Sequence, residues 1–221
     1  MEFTGERVVP GKTPEAVYKE HTDRYIFAAS VAKDRDVLDV ACGTGYGADY
    51  LAAAGARRVV GADVSPDAVH YARDWFGQRA GASFVCADAV VLPFADCSFD
   101  VIVSFETLEH IRAYRKFLAE CRRVLREDGL LVCSTPNRRV FSPNLARPIN
   151  PFHVKEFWPE EFRRLLSRFF RPVVLYGQCD VTLADNSVER RYGVREFRDD
   201  AEVSSGYMIA VAGKTAGSRV R

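Results

Sequence analysis

Two carboxylates and one imidazole lie close together in the sequence, at Glu106, Glu109 and His110. This i, i+3, i+4 spacing places all three side chains on one face if the segment is helical. A second imidazole, His153, lies further along the chain in the segment 150–157. Carboxylate oxygens together with imidazole nitrogens are ligands for divalent cations, and oxygen-rich ligation favours Mg²⁺ or Mn²⁺. The sequence therefore predicts a candidate metal site made of these four residues.

Two other interpretations of this cluster stay open. Without a metal, His110 or His153 is the candidate catalytic base, because the pKa of an imidazole lies near neutral pH. In a purely structural role, the segment 106–110 caps a turn and shapes a pocket. An experiment with a chelator separates the first interpretation from the other two.

Acidic side chains also follow three predicted strands in succession. Asp39 lies near the end of the first strand, Asp63 closes the second and Asp88 follows the third. The carboxyl ends of parallel strands meet at one edge of a sheet, which is where such folds bind ligands. Three acids there suit an ammonium group, a pair of ribose hydroxyls and an exocyclic amine. A cationic nucleoside amino acid carries all three groups.

A glycine-rich turn separates the first strand from the next helix, in the sequence Gly43-Thr44-Gly45-Tyr46-Gly47. Glycine lets the backbone turn tightly and approach a ligand closely. The turn also fits a dinucleotide fingerprint, with alanine in the last position. An NAD-dependent oxidoreductase therefore remains an alternative, although the chain contains no Tyr-x-x-x-Lys pair.

Elements that alternate along the chain must position these residues. Short apolar runs alternate with segments of helical period, which indicates a single α/β domain over 1–221 with a parallel sheet. Strands are predicted at 36–41, 58–63, 82–87, 100–105, 130–134, 172–176 and 207–212. Helices are predicted at 14–31, through 50–54, and at 65–78, 114–126 and 159–169. Three irregular coverings complete the chain, at 1–15, at about 136–157, which is the predicted substrate loop, and at 178–205. The first of them and the helix that follows form a predicted N-terminal cap over about 1–30.

Together these motifs resemble the class I S-adenosylmethionine-dependent methyltransferases, in particular the type 11-like group. The matching text is the run 37–47, Gly61-Ala62-Asp63-Val64-Ser65, the stretch 92–100, and two later stretches at 120–125 and 129–131. The resemblance covers about residues 15–178. It implies a Rossmann-like sheet of seven strands, mostly parallel, with helices on both faces and the last strand antiparallel.

The resemblance also implies which residues contact the cofactor, S-adenosylmethionine. They come from the N-terminal cap, the glycine turn and four strand ends: Tyr18, Arg24, Asp39, Ala41, Gly43, Gly45, Asp63, Val64, Asp88, Ala89 and Ser104. Arg24 is expected to meet the cofactor carboxylate. The Glu-x-x-Glu-His pattern with a distant histidine is similar to metal-dependent O-methyltransferases, which implies Mg²⁺ or another divalent cation at Glu106, Glu109, His110 and His153.

Composition excludes several other classes of protein. With 31 basic and 30 acidic residues among 221, the net charge is +1, which disfavours general nucleic-acid binding. No apolar run reaches the ~18 residues of a membrane span. The N-terminus has no signal-like apolar segment, and the 6 cysteines form no CxxC pair, so a reduced, cytoplasmic protein is expected.

The predicted function is O-methylation of a hydroxyl on a small polar substrate, a saccharide or sugar-containing metabolite in glycan or natural-product biosynthesis. The opening stretch 3–11 and the later Asn150-Pro151-Phe152-His153 resemble enzymes of such pathways. The open alternatives are an N-methyltransferase on an amino sugar, an RNA 3′-end methyltransferase and a non-catalytic cofactor-binding subunit. The sequence leaves the oligomeric state open between a monomer and a homodimer.

Overall fold

The structure is a computed structural model that describes residues 7–184, 187–196 and 205–219, with the backbone alone for 179–184 and 187–193. The helices are α1 Glu15–Ala32, α2 Tyr46–Ala53, α3 Pro66–Phe76, α4 Tyr114–Val124, α5 Arg138–Phe141 and α6 Pro159–Leu166. The strands are β1 Asp36–Val40, β2 Arg58–Asp63, β3 Ala82–Cys86, β4 Phe99–Ser104, β5 Leu125–Pro136, β6 Val173–Ala184, β7 Ser187–Glu196 and β8 Ser205–Gly213. A short 3-10 helix covers Leu108–His110.

One sheet of 8 strands organises the chain, in the order β3-β2-β1-β4-β5-β8-β6-β7. The five strands from β3 to β5 pair in parallel, whereas β8 is antiparallel to β5 and to β6, and β6 is antiparallel to β7. The α/β class, the mostly parallel sheet and the antiparallel strand beside β5 are confirmed. The parallel half carries all the predicted acidic strand ends at one edge.

The count of seven strands is wrong, because β6 continues to Ala184 and β7 follows it. The polar stretch predicted over 178–205 therefore contains a β-hairpin rather than an irregular covering. Its sequence alternates apolar and polar residues, as at Val181, Leu183 and Val188. Strands near the edge of an antiparallel sheet need only one apolar face, so about half of their residues are polar. This polar composition makes the alternating pattern of a strand hard to distinguish from an irregular loop.

Two apolar clusters hold the helices against opposite faces of the sheet. One contains Leu38 and Ile102 of the strands with Phe117 of α4 and Phe162 of α6. The other contains strand residues such as Val37 with side chains from α1, α2 and α3. Alternate residues of β1 thus face opposite clusters, as expected for a strand buried on both sides. Helices on both faces are confirmed, and the edge above the parallel strands stays open for a ligand.

Candidate active site

Two adjoining cavities lie along the carboxyl edge of the parallel strands. The first has a volume of about 310 Å³ and the second about 280 Å³. Four residues line both of them: Ala41, Asp63, Glu106 and His110. The cavities therefore form one cleft, which runs from the glycine turn at one end to the end of β3 at the other. This is the position that the strand order predicts for a ligand.

Asp63 occupies the middle of this cleft. Its carboxylate accepts hydrogen bonds from the backbone N–H of Gly43 at 2.9 Å and of Ser65 at 2.9 Å. Both bonds fix the carboxylate between the glycine turn and the start of α3. A rigid acceptor at the end of β2 suits the adjacent hydroxyls of a ribose.

Asp39 lies behind the wall of the first cavity, beside Tyr25. The side chain is fully buried, and the Tyr25 hydroxyl donates to its carboxylate oxygens at 3.2 and 3.3 Å. Burial raises the pKa of Asp39 to about 8, against the lowering effect of the Tyr25 hydrogen bond. A cation bound in the cavity would favour the ionised form of this acid.

The glycine turn needs glycine at specific positions. Gly45 has φ +84°, and an added Cβ would lie 2.6 Å from Cβ of Ala72. At Gly47, an added Cβ would overlap the ring of Tyr25. Ala41, just before the turn, has φ 60° although it carries a side chain. Strained backbone of this kind is concentrated at functional sites, where the surrounding fold holds it in place.

The N-terminal segment covers the glycine turn. Val8 and Val9 are buried, and the carbonyl of Val8 accepts a hydrogen bond from the Thr44 hydroxyl at 2.8 Å. Arg7 lines the first cavity, with its guanidinium 3.8 Å from the Asp63 carboxylate. Sequence reasoning assigned no role to Arg7. The predicted cap is therefore seen over the cleft from residue 7 onward, and its first six residues lie outside the described part.

The second cavity holds the residues predicted around the far end of the cofactor. Val64, Asp88 and Ala89 line it together with Thr107 and Ile111. Asp88 is exposed, and its carboxylate accepts a hydrogen bond from the N–H of Val90 at 3.0 Å. Val64 is 68% exposed despite its apolar side chain, which leaves an apolar wall for a flat ring.

Three of the predicted cofactor contacts point elsewhere. Arg24 is fully buried, donates to Gln178 at 2.7 Å and lies over the ring of Tyr207. The ring of Tyr18 packs on Tyr46 beside a separate cavity. Neither Arg24 nor Tyr18 lines the two cavities of the cleft.

The third, Ser104, is buried and donates its hydroxyl to the Val40 carbonyl at 3.0 Å, where it joins β4 to β1. Burial in these three places follows from packing between distant elements. The spacing of residues along a helix does not report such packing. Two further predicted contacts, Asp39 and Gly45, do not line the cleft. Asp39 lies behind its wall, and Gly45 shapes the glycine turn.

Three of the four predicted metal ligands do meet. One ligand atom from each of Glu109, His110 and His153 lies within 4.8 Å of the others. Glu109 is fully buried, and its Oε2 accepts a hydrogen bond from Thr135 at 3.0 Å, whereas Oε1 accepts none from the described residues. Burial, followed by the charge of Glu106, raises the pKa of Glu109 well above its ordinary value. An orphaned carboxylate oxygen beside two imidazoles fits a divalent cation.

Glu106 does not join this group. Its Oε1 accepts a hydrogen bond from Ser134 at 2.6 Å and lies 3.5 Å from Nη1 of Arg24. The segment is not an α-helix: Glu106 has φ 50°, and the 3-10 helix starts two residues later. The shared face expected from helical spacing therefore does not form. As a metal ligand, Glu106 is not supported by its geometry, although it lines both cavities.

Both imidazoles are held by the predicted substrate loop. His110 Nδ1 lies 3.2 Å from the carbonyl of Phe152, so a proton on Nδ1 leaves the lone pair on Nε2. His153 Nδ1 lies 2.9 Å from the buried Glu156 carboxylate, and its Nε2 lies 3.0 Å from Nδ2 of Asn150. A metal at His153 would replace the Asn150 contact, and the Glu156 contact would orient the ring.

The cleft also contains a residue with no role in the sequence prediction, His21 of α1. It lines the first cavity together with Glu106 and His110. Burial, reinforced by the charge of Arg24, holds the pKa of His21 well below its ordinary value, so the imidazole is neutral at pH 7. Its place one turn before Arg24 is visible in the sequence, but no spacing rule distinguishes it from a surface histidine.

Comparison with known proteins agrees with this geometry. The profile of a family described as "Methyltransferase domain" matches residues 38–133. A probable S-adenosylmethionine-dependent methyltransferase of Mycobacterium tuberculosis is 40% identical over 167 residues, which cover 75% of this chain and 60% of the relative. The chain carries a class I methyltransferase domain. A ubiquinone biosynthesis O-methyltransferase of Roseobacter denitrificans is 33% identical over 70% of this chain and 61% of that protein.

The methyltransferase fold extends well beyond the matched residues. A Thermotoga maritima structure, described as an S-adenosylmethionine-dependent methyltransferase and possible histamine N-methyltransferase, superposes with a TM-score of 0.69 at 18% identity. That superposition covers 90% of this chain and 92% of the other, and at this identity it establishes the fold alone. The chain spans about 60% of the length of the mycobacterial relative. No helix in the described residues is long and apolar enough to cross a membrane.

Proposed function

We propose that the protein transfers a methyl group from S-adenosylmethionine to a hydroxyl of a small molecule. The observation that carries this proposal is the cleft that joins the glycine turn, Asp63 and Asp88 to His110. It offers acceptors for ribose and for an amine along its length, and a histidine at the boundary between its two cavities. The methyltransferase relatives support the same reaction class.

The cofactor, when bound, supplies a methyl group activated by a positive sulfonium. Asp63 would hold the ribose hydroxyls, and Asp88 would accept from the exocyclic amine of the base. Asp39 would stabilise the ammonium group by its charge. Arg7, which stands over Gly43, takes the place expected for Arg24 as the cation for the carboxylate. Fixing both reactants in line is the main contribution such a site makes to the rate.

The acceptor hydroxyl would meet His110 at the boundary between the two cavities. With a proton on Nδ1 facing Phe152, Nε2 of His110 is able to accept the proton that the hydroxyl loses. A divalent cation at Glu109, His110 and His153 would orient a hydroxyl pair and favour its ionised form. In that case the lone pair of His110 binds the cation, so His110 acts either as base or as ligand.

The substrate class follows from the polar groups around the cleft and from the resemblance of the substrate loop. A hydroxyl of a saccharide or a sugar-containing metabolite is the proposed acceptor, with an amino sugar as the competing nitrogen acceptor. Relatives with O-methyltransferase names support oxygen as the accepting atom.

The test is turnover of labelled S-adenosylmethionine against a panel of hydroxyl-bearing and amine-bearing saccharides and quinols. We expect methylation of a hydroxyl substrate and its loss in His110→Ala. Methylation confined to amines overturns the oxygen assignment. Binding of the cofactor with no turnover on the whole panel favours a non-catalytic cofactor-binding subunit.

A further inference from the structure

Apolar side chains are exposed in an unusual concentration on one loop beside the cleft. Eight large hydrophobic side chains are strongly exposed among the described residues, and four of them lie within ten residues of each other in sequence: Leu145, Ile149, Phe152 and Val154. Ile149 is 66% exposed and Phe152 61%. Single exposed apolar residues are ordinary, whereas a cluster marks an interaction site.

The backbone of this loop is held firmly, so the exposed side chains are presented rather than left loose. The carbonyl of Leu145 accepts from Arg138 at 2.7 Å, and the N–H of Ile149 donates to Ser142 at 3.0 Å. The N–H of Val154 donates to the carbonyl of Glu109 at 2.7 Å. The loop is therefore fixed to the candidate active site itself.

The charge of the same loop is one-sided. Residues 136–157 contain four basic residues, Arg138, Arg139, Arg147 and Lys155, and their one acid, Glu156, is buried beside His153. Arg139 and Lys155 are paired with Glu160 and Glu161 of α6, whereas Arg147 is exposed. The neighbouring surface at the start of α4 adds exposed Arg112, Arg115 and Lys116. The exposed apolar residues thus lie beside a local excess of exposed basic side chains, Arg147, Arg112, Arg115 and Lys116, on a protein of net charge +1.

We propose that residues 145–154, the apolar loop, dock the protein on an anionic lipid bilayer. Apolar side chains enter the boundary between headgroups and acyl chains, while Lys and Arg lie near anionic headgroups, and both parts add to the binding free energy. The positive flank favours a lipid surface over an apolar protein groove, which would leave these charges without counterparts. Docking here brings the cleft to the membrane surface, because the loop also positions His110 and His153.

The proposal is independent of the methylation reaction, and its test measures vesicle binding alone. The full chain is floated with phosphatidylcholine vesicles and with vesicles that also contain phosphatidylglycerol, at physiological and at high salt. We expect binding to the anionic vesicles only, weakened by salt because exposed charges are screened. Absence of binding to anionic vesicles overturns the proposal.

Variants locate the binding surface. Ile149→Asn combined with Phe152→Ser should reduce vesicle binding at least about tenfold, since two inserted side chains are lost. Arg147→Gln should reduce it about fivefold. The matched controls are Trp75→Ser on α3, where the side chain is 69% exposed, and Arg219→Gln, and both should bind as the wild type does. Thermal unfolding confirms that each variant is folded.

Two outcomes would contradict the assignment of this surface. If the double variant binds anionic vesicles as well as the wild type does, the membrane contact lies elsewhere. If the wild type ignores vesicles but forms a dimer that the double variant does not form, the apolar loop is an interface with a second copy of the chain.

Discussion

The Tyr25 hydroxyl of α1 lies 3.2 Å from a carboxylate oxygen of Asp39 at the end of β1. This bond joins the cap to the strand that leads into the glycine turn. It keeps a carboxyl group in a buried place where the pKa of Asp39 rises to about 8. The acid is therefore largely protonated at pH 7 until a cation enters the cleft.

Binding of a ligand that has an ammonium group should release a proton from Asp39. Ammonium lowers the pKa of Asp39, so S-adenosylhomocysteine should bind more tightly as pH rises towards 8, by up to about tenfold per unit. Methylthioadenosine, which lacks the ammonium, should show no such slope. Calorimetry at pH 7 in buffers of different ionisation enthalpy measures the proton release. An Asp39→Asn variant serves as the control, and an unchanged slope in that variant contradicts the assignment.

The same acid makes the stability of the free protein depend on pH. The pKa of Asp39 is raised on folding from an ordinary value of about 3.9, so the folded state binds the additional proton between about pH 4 and 8. The contribution of Asp39 to the free energy of unfolding is therefore greatest below pH 4 and falls as pH rises towards 8. Urea unfolding across this range should show a shallower decline in Asp39→Asn. Identical profiles for the two proteins would count against a raised pKa.

Arg7 should contribute to affinity only when the ligand has a carboxylate. The aliphatic carbons of its side chain lie over Gly43, and its guanidinium lies 3.8 Å from the Asp63 carboxylate, beside the glycine turn. Arg7→Gln should weaken the binding of S-adenosylhomocysteine about tenfold, because one charge-assisted hydrogen bond of ~1.5 kcal/mol or more is lost. The binding of methylthioadenosine should not change. Equal weakening of both ligands would instead mean that Arg7 only supports Asp63.

A divalent cation should require Glu109 but not Glu106. The orphaned oxygen of Glu109 faces the two imidazoles, whereas Glu106 is bound to Ser134 and paired with Arg24. Titration of the free protein with Mn²⁺, followed by calorimetry, should show binding that is lost in Glu109→Gln and in His153→Ala and retained in Glu106→Gln. Loss in all three variants would restore the four-residue site expected from the sequence. Absence of Mn²⁺ binding by the wild type would rule out a divalent cation at this cluster.

Gly47 should be needed for the turn to pack under α1. Gly47→Ala places a Cβ against the ring of Tyr25, which is buried and cannot move freely. Overpacking of this kind costs about 1–3 kcal/mol in the free energy of unfolding. Gly217→Ala is the matched control, because its Cβ would meet Thr215 at 3.8 Å, an ordinary contact. Equal stabilities of the two variants in urea would contradict the close packing described here.

Local signals in the sequence were sufficient for the parallel half of the fold. Apolar runs, the glycine turn and the acids at the ends of β1 and β2 and after β3 predict the strands and the edge where a ligand binds. β7 was missed because an edge hairpin with polar residues has a weaker signal than a buried strand. The same reason left the second half of β6 inside a predicted irregular stretch.

Contacts between distant segments limited the prediction of the site. Arg24 is expected from the sequence to meet the cofactor carboxylate, yet it is buried against Gln178 and Tyr207 of the antiparallel strands. Glu106 lies outside the metal cluster, and its backbone has a positive φ, which the residue type does not predict. Arg7 reaches the cleft only because Val8 and Val9 are buried over the turn.

Binding of S-adenosylhomocysteine, the demethylated cofactor, decides whether the cleft is a site for S-adenosylmethionine. S-adenosylhomocysteine and NAD⁺ are each titrated by calorimetry into the full chain. We expect saturable binding of S-adenosylhomocysteine at submillimolar concentration, one molecule per chain, and no heat from NAD⁺. Binding of NAD⁺ without S-adenosylhomocysteine would contradict this expectation and restore the dinucleotide interpretation of the glycine turn.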